Sequence, residues 1–126
     1  MRYEIKLAGF GGQGILKAGH ILGLAATVYD NKFATLVQSY GPEARGGACS
    51  AQVVISDKWI NYPYVDNANV FVALSQPGYE THIRSVKSGG MVIIDEDLVQ
   101  PVGSHNAKIL VIPATRIAER LGNKVV

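Results

Sequence analysis

Cysteine is nearly absent from this sequence of 126 residues, since Cys49 is the only one. No disulfide can form within the chain, and one thiolate cannot hold an iron–sulfur cluster or a structural zinc ion. We interpret Cys49 as a small buried apolar residue. The histidines, His20, His82 and His105, lack the spacing of metal ligands. We therefore expect no metal site on this chain.

Long apolar runs and charge clusters are absent too. No apolar run approaches the roughly 20 residues that span a bilayer, and the N-terminus lacks a basic-then-apolar signal pattern. Twelve basic and ten acidic residues give a net charge of +2, without the Lys and Arg clusters of a nucleic-acid footprint. We expect a cytoplasmic protein that binds neither membrane nor nucleic acid. Because 48% of the residues are hydrophobic, we expect some apolar surface to lie against partner subunits.

The clearest motif is GFGGQG at residues 9–14. It follows an apolar run at 3–8 that favours a strand and precedes residues 15–29, where apolar residues recur at helical spacing. Its first, third and sixth residues fit the G-x-G-x-x-G spacing of a phosphate-binding turn, in which the first amides of the helix face the ligand. The alternative is a tight turn that binds nothing. Spacing alone does not decide between the two.

The remaining pattern predicts an α/β fold in one domain, residues 1–126. Alternating strands and helices indicate a Rossmann-like, doubly wound, mostly parallel sheet, with a short antiparallel hairpin formed by 50–56 and 59–62. Ligands of such sheets bind at the carboxyl ends of the strands, which would gather the glycine turn and the loops after Tyr40 and Leu74. We predict strands at 3–8, 33–40, 50–56, 59–62, 70–74, 91–94 and 108–112, and helices at 15–29, at 78–88 before Gly89-Gly90, and after Pro113 with Ile117, Ala118 and Leu121 on one face.

Two familiar nucleotide sites are disfavoured. A dinucleotide site adds an acidic residue at the end of the second strand, but that strand ends in Gln38, Ser39 and Tyr40. A P-loop needs Lys and Ser or Thr where Ile15 and Leu16 follow the glycines. No nucleophile and general base form a pair, so we assign no catalytic residue.

Two other stretches are candidates for binding. Residues 38–47 read QSYGPEARGG, where Arg45 suits phosphate or carboxylate and Tyr40 suits stacking or hydrogen bonding. The alternative is an ordinary surface loop with solvated charges. Ser75 follows a buried strand and either faces a ligand or caps the next helix. The candidate binding residues are Gly9, Gly11, Gly12, Gln13, Gly14, Tyr40, Arg45 and Ser75.

These motifs together resemble one family. GFGGQG with its helix, QSYGPEARGGACSAQVVIS, the INYP of 60–63 and NVFVALSQPGYE are similar to the gamma subunit of 2-oxoacid:ferredoxin oxidoreductases. EARGGAC followed by VVIS and a Tyr-Pro pair is most similar to the 2-oxoglutarate branch; pyruvate and branched-chain enzymes are the alternatives. Members usually continue beyond LGNK at 121–124 into a further helical segment. We therefore expect this chain to be truncated and to self-associate when isolated.

The resemblance implies a complex that decarboxylates a 2-oxoacid with coenzyme A, giving an acyl-CoA, CO2 and reduced ferredoxin. Alpha and beta subunits, and a ferredoxin-like delta subunit or ferredoxin, would hold thiamine diphosphate, Mg²⁺ and the iron–sulfur clusters. The gamma chain would assist assembly and receive coenzyme A. Our hypothesis is that the amides of Gly11, Gly12, Gln13 and Gly14 face a phosphate of coenzyme A or a neighbouring chain. The other readings are a stand-alone nucleotide-binding module and a purely structural subunit.

Overall fold

A single six-stranded sheet forms the centre of the protein. The computed structural model describes residues 1–40, 47–102 and 106–122. The strands are β1 (Arg2–Phe10), β2 (Phe33–Tyr40), β3 (Ala48–Ser56), β4 (Ala68–Ala73), β5 (Val86–Asp95) and β6 (Lys108–Ile112). The helices are α1 (Ile15–Leu24), extended by a π-helical turn (Ala25–Tyr29), α2 (Gln76–His82), followed by a 3-10 turn (Ile83–Ser85), and α3 (Ala114–Arg120).

The sheet order is β2-β3-β1-β4-β5-β6. β1, β4, β5 and β6 pair in parallel, whereas β3 lies antiparallel between β1 and β2. The predicted α/β class with a mostly parallel sheet is confirmed. The strands that follow β1 in the chain lie on both sides of it, β2 and β3 on one side and β4 to β6 on the other. The carboxyl end of β1 therefore adjoins a topological switch point, where ligands of such folds bind.

The helix α1 covers one face of β1, β2 and β3. Ile15 packs there on the alternate residues of β1 and β3 that form an apolar cluster. A Cβ on Gly19 would lie 3.0 Å from Leu36 Cδ1 and 3.1 Å from Ala51 Cβ, so glycine lets the helix approach the sheet closely. The helical region ends at Asp30, as predicted, and Asn31 follows with a φ of 52°, which suits a residue just beyond a helix.

The helix α2 lies on the opposite face, over β1, β3 and β4. Tyr79 packs there with Ala8, Phe71 and the buried residues of β5. A Cβ on Gly78 would lie 3.1 Å from Ala8 Cβ, so the start of α2 rests directly on β1. The two helices therefore enclose β1 from both sides.

The hairpin predicted from 50–56 and 59–62 is wrong. The segment after Ser56 forms no strand, because both edges of β3 are already paired with β1 and β2. Ile60 instead packs against a cluster of Val54, Val65 and Ala68. This segment therefore covers the α2 side of the sheet at the end far from the glycine turn.

The helix predicted at 78–88 is wrong at its end. β5 begins at Val86, so Gly89 and Gly90 lie inside a strand instead of stopping a helix. Gly89 has a φ of 79°, and a Cβ on Gly90 would lie 3.1 Å from the carbonyl oxygen of Asn69. The register between β4 and β5 shifts at this level. The glycines therefore serve an irregularity of the sheet, which local pattern cannot distinguish from a helix stop.

The last helix begins after Pro113, as predicted, but it does not bury a single apolar face. Ala118 is buried, whereas Ile117 and Leu121 are 45% and 76% exposed. Gly122 ends the helix with a φ of 93°. Among the described residues, no helix has both the length and the apolar character needed to cross a bilayer.

Candidate functional site

A cavity of about 180 Å³ lies at the carboxyl end of β1 and β2, beside the start of α2. The register aligns Tyr40, Cys49 and Gly9 in one row across β2, β3 and β1. All three line the cavity. The predicted gathering of the glycine turn and the segment after Leu74 at this edge is confirmed for Gly9, Pro77 and Gly78, whereas the loop after Tyr40, which was predicted to join them, lies outside the described residues. The other residues that line the cavity are Ser39, Ala48, Ser50, Pro77, Gly78, Thr81 and His82.

The side chain of Gln13 braces the glycine turn from within. Its Oε1 accepts a hydrogen bond from the Phe10 amide at 2.7 Å, and its Nε2 donates to the Leu74 carbonyl oxygen at 2.9 Å. A Cβ on Gly9 would lie 2.5 Å from this Oε1. Gly9 therefore gives room to the Gln13 side chain, which ties the end of β1 to the end of β4.

The amides of the turn divide into two groups. The Gly11 amide donates to the Gly47 carbonyl oxygen at 2.8 Å, and the Gln13 amide donates to that of Phe10 at 3.2 Å. Our hypothesis that these two amides face a ligand is therefore wrong. Within residues 1–40, 47–102 and 106–122, no acceptor is bonded to the amides of Gly12 and Gly14.

The two amides without an acceptor belong to positions whose backbone conformation favours glycine. Gly12 and Gly14 have φ values of 90° and 81°, in the left-handed region where a side chain is strained. Gly14 is also the N-cap of α1, and no side chain caps this helix. The helix therefore begins with amides that are available to an acceptor, at the positive end of its dipole.

The other candidates from the sequence differ in position. Tyr40 is 67% exposed and lines the cavity. Ser75 is buried, and its Oγ accepts a hydrogen bond from the Gly78 amide at 3.1 Å, so the capping interpretation describes it. Arg45 lies outside the described residues.

Several residues of the cavity were missed by sequence reasoning, chiefly His82, Ser50 and Thr81. His82 was set aside because no metal-ligand spacing included it. Burial lowers the pKa of its imidazole, and the charge of Lys6 lowers it further. The sequence signal for the polar residues of the cavity is the alternation in β3, where Ser50 and Gln52 stand on the face opposite the apolar residues.

The cavity has the character of a binding site. Burial raises the pKa of the Cys49 thiol, so it stays protonated at neutral pH and is a poor nucleophile. No group of three or more His, Cys, Asp or Glu within the described ranges is arranged to hold a metal ion. The available chemistry is that of amides, hydroxyls and one imidazole around a small opening.

The fold and this site define a Rossmann-like binding domain with a glycine turn at the switch point of its sheet. A family model described as pyruvate ferredoxin/flavodoxin oxidoreductase matches residues 4–126. The chain belongs to this family.

Individual relatives indicate which subunit of this family the chain is similar to. A 2-oxoglutarate synthase subunit KorC of Methanocaldococcus jannaschii is 52% identical over 120 residues, which cover 94% of this chain and 64% of the relative. The subunit of the same name from Methanothermobacter marburgensis is 48% identical over 125 residues, with 94% of this chain and 67% of the relative covered. The keto/oxoacid ferredoxin oxidoreductase gamma subunit of Geobacter sulfurreducens PCA superposes with a TM-score of 0.86 at 35% identity, covering 98% of this chain and 68% of that one.

The resemblance to gamma subunits, with the 2-oxoglutarate branch as most similar, is confirmed by these relatives. The chain spans about two thirds of their length.

Proposed function

We propose that this chain acts as the gamma subunit of a 2-oxoglutarate:ferredoxin oxidoreductase. The observation that carries the proposal is its similarity to 2-oxoglutarate synthase subunits across nearly all of its length. The reaction takes a 2-oxoacid, coenzyme A and oxidised ferredoxin to an acyl-CoA, CO2 and ferredoxin reduced by two electrons. Pyruvate and branched-chain 2-oxoacids are the alternative substrates. We place the complex in the cytoplasm.

Other subunits would carry the chemistry of the cofactors. This chain has one cysteine, which is buried, and so cannot supply the ligands of an iron–sulfur cluster. Alpha and beta subunits, with a ferredoxin-like delta subunit or ferredoxin, would hold the clusters, thiamine diphosphate and Mg²⁺. The gamma chain has two tasks in this division: it contributes to assembly, and it holds one part of coenzyme A.

The edge around the glycine turn is the proposed contact with coenzyme A. The amides of Gly12 and Gly14 stand at the start of α1, where phosphate groups bind readily. Tyr40 lines the adjacent cavity, and Arg45 follows it in the sequence by five positions. Pockets that enclose a whole ligand span roughly 300–1,000 Å³. The smaller cavity here supports contact with a single portion of coenzyme A.

Replacing Arg45 tests the contact in the assembled complex. We expect Arg45→Ala to raise the KM for coenzyme A by about tenfold, the loss of about 1.4 kcal/mol, while kcat changes little. Arg120→Ala, an exposed arginine on α3, is the matched control and should leave KM unchanged. Size-exclusion chromatography checks that both complexes are intact. An unchanged KM in an intact Arg45→Ala complex removes the ligand role and leaves the assembly role.

The identity of the complex is tested separately by co-purification. We expect thiamine diphosphate and iron–sulfur chains to accompany this one, with 2-oxoglutarate giving the highest kcat/KM among the three 2-oxoacids. A chain that purifies as a monomer and binds an adenine nucleotide tightly would instead be a stand-alone nucleotide-binding module.

A further inference from the structure

Ser50 is a buried serine of β3, 7% exposed, and it lines the cavity described above. In the part of the chain that the structure describes, its hydroxyl forms no hydrogen bond. The polar side-chain atom that is fully enclosed there without a partner is Thr35 Oγ1, so the Ser50 hydroxyl is accessible from the cavity. Buried polar groups normally have a partner. The cavity therefore contains a hydrogen-bonding group that no neighbouring side chain or backbone atom satisfies.

His82 presents a second such group to the cavity. Ser50 is the register partner of Ala8, and the start of α2 rests on Ala8 at Gly78. Adjacent strands lie about 4.8 Å apart, and the helical turn from Gly78 to His82 advances about 6 Å. Ser50 therefore belongs to the floor of the cavity and His82 to its α2 wall. Within the described residues, the His82 imidazole forms no hydrogen bond either.

The lining of the cavity suits an uncharged group. As far as the structure describes it, this lining includes no Lys, Arg, Asp or Glu. Burial lowers the pKa of His82 and raises that of Cys49, so both side chains are neutral at neutral pH. A charged group costs far more to transfer into such surroundings than an uncharged polar group does. The cavity therefore favours a neutral ligand group that can both donate and accept hydrogen bonds.

We propose that the cavity binds a carboxamide of the pantetheine arm of coenzyme A, with the Ser50 hydroxyl donating to its oxygen and the His82 imidazole accepting its N–H. The inference rests on the proposed function, because it takes coenzyme A as the ligand. The pantetheine arm carries two carboxamides and is joined directly to the diphosphate. Gly9 lines the cavity, and the amides of Gly12 and Gly14 belong to the same turn. A diphosphate at those amides therefore places the arm beside the cavity.

The adenine base of coenzyme A suits this cavity less well. Bases bind by stacking on aromatic faces. Among the described lining residues, the aromatic rings are those of Tyr40, which is 67% exposed, and His82, whose ring packs against Phe71. The apolar lining otherwise consists of small residues, namely Gly9, Ala48, Cys49, Pro77 and Gly78. These surroundings favour a narrow carboxamide over a flat ring.

The test is a titration of the purified full chain with reduced D-pantetheine, which carries both carboxamides and no phosphate, followed by amide NMR shifts at pH 7.5. We expect saturable shifts at Ser50, Thr81 and His82. Ser50→Ala should weaken binding about fivefold, the loss of one hydrogen bond. Ser88→Ala, the same change at an exposed strand serine, should leave it unchanged. No saturable shift, or equal losses in the two variants, overturns the proposal.

Variants of His82 test its role as an acceptor. His82→Leu removes the ring nitrogen and should weaken pantetheine binding about threefold. His82→Gln, whose side-chain oxygen can accept the same N–H, should recover most of that loss. Equally weak binding in the two variants overturns the proposal.

Parallel titrations with adenosine and inorganic phosphate test the chemistry of the ligand. We expect neither compound to shift Ser50 and His82 as strongly as pantetheine does. A stronger response of these residues to adenosine or to phosphate overturns the carboxamide assignment.

Kinetics of the assembled complex separate this proposal from the proposed function. We expect Ser50→Ala to raise the KM for coenzyme A about fivefold with little change in kcat, since the lost hydrogen bond contributes to binding. If Arg45→Ala raises KM and Ser50→Ala does not, the carboxamide subsite is overturned and the coenzyme A contact stands. If neither variant changes KM in an intact complex, both are overturned.

Discussion

The two faces of β1 and β3 differ in polarity, although the same strands form both. On the α1 face, Leu7 and Val53 are buried in an apolar cluster. On the α2 face, the neighbouring residues Lys6, Ser50 and Gln52 are polar. The helix α1 spans β1, β2 and β3, whereas α2 lies chiefly over β1 and leaves a cavity beside β2 and β3. Both faces therefore contribute apolar packing, through Leu7 and Val53 on one side and Ala8 on the other, but the α2 face also carries polar groups beside the cavity.

The largest predicted effect comes from breaking the α1 face. Ile15 is 2% exposed and packs in the apolar cluster, so Ile15→Ala should lower the free energy of unfolding by about 3 kcal/mol through lost burial and a cavity. Ile21→Ala is the control, because Ile21 lies on the same helix but is 55% exposed, and it should change stability by less than about 0.5 kcal/mol. Urea unfolding measures both. Equal losses would mean that α1 is not held by this face.

A smaller loss is expected at the junction of the two faces, where the glycine turn begins. Gly9→Ala places a Cβ against Gln13 Oε1 and Ile15, which displaces the Gln13 side chain and should cost about 2 kcal/mol. Gly23→Ala is the matched control, because no atom lies within 4 Å of its added Cβ. In a helix this change should stabilise by about 0.5–1 kcal/mol.

A double-mutant cycle tests the reason for that cost. Gln13→Ala removes two hydrogen bonds, to the Phe10 amide and the Leu74 carbonyl oxygen, and should cost about 1–2 kcal/mol. With Gln13 already shortened, Gly9→Ala should cost at least about 0.5 kcal/mol less than in the wild type. Strictly additive losses would show that the Cβ acts on Ile15 and not through Gln13.

The comparison also shows which parts of the fold local sequence pattern can reach. β2 and β6 match their predicted bounds, and the strand–glycine turn–helix unit is as expected, because propensity and periodicity act over neighbouring residues. The insertion of β3 between β1 and β2 was missed, since alternation fixes which residues share a face but not which strand is the partner. Gly89-Gly90 was misread for the same reason, because an irregularity between two strands is a property of the pair.

The candidate site likewise contains residues that local sequence pattern predicts and residues that it does not. Tyr40 was found from the sequence because it ends a strand at the ligand-binding edge, and it lines the cavity. His82 also lines the cavity, and the charge of Lys6, 76 positions away in the sequence, acts on it because α2 crosses β1. Gln13 was predicted to offer its backbone amide to a ligand, but that amide donates to the Phe10 carbonyl oxygen. Its side chain is long enough to reach the Leu74 carbonyl oxygen at the end of β4. Such contacts follow from topology, which no local pattern contains.

The smallest predicted effect is a pH dependence of stability on the α2 face. Burial and the charge of Lys6 hold the pKa of His82 below its ordinary value of 6.5. The unfolded chain then binds more protons than the folded one, so the free energy of unfolding falls as pH drops from 6.5 through the folded pKa. His82→Gln should flatten this part of the curve, and Lys6→Met should reduce its slope. His20→Gln, on the exposed side of α1, should leave the curve unchanged. Urea midpoints between pH 7.5 and 5, in buffers without phosphate, measure the difference, and parallel curves for the wild type and His82→Gln would show that His82 is not desolvated beside Lys6.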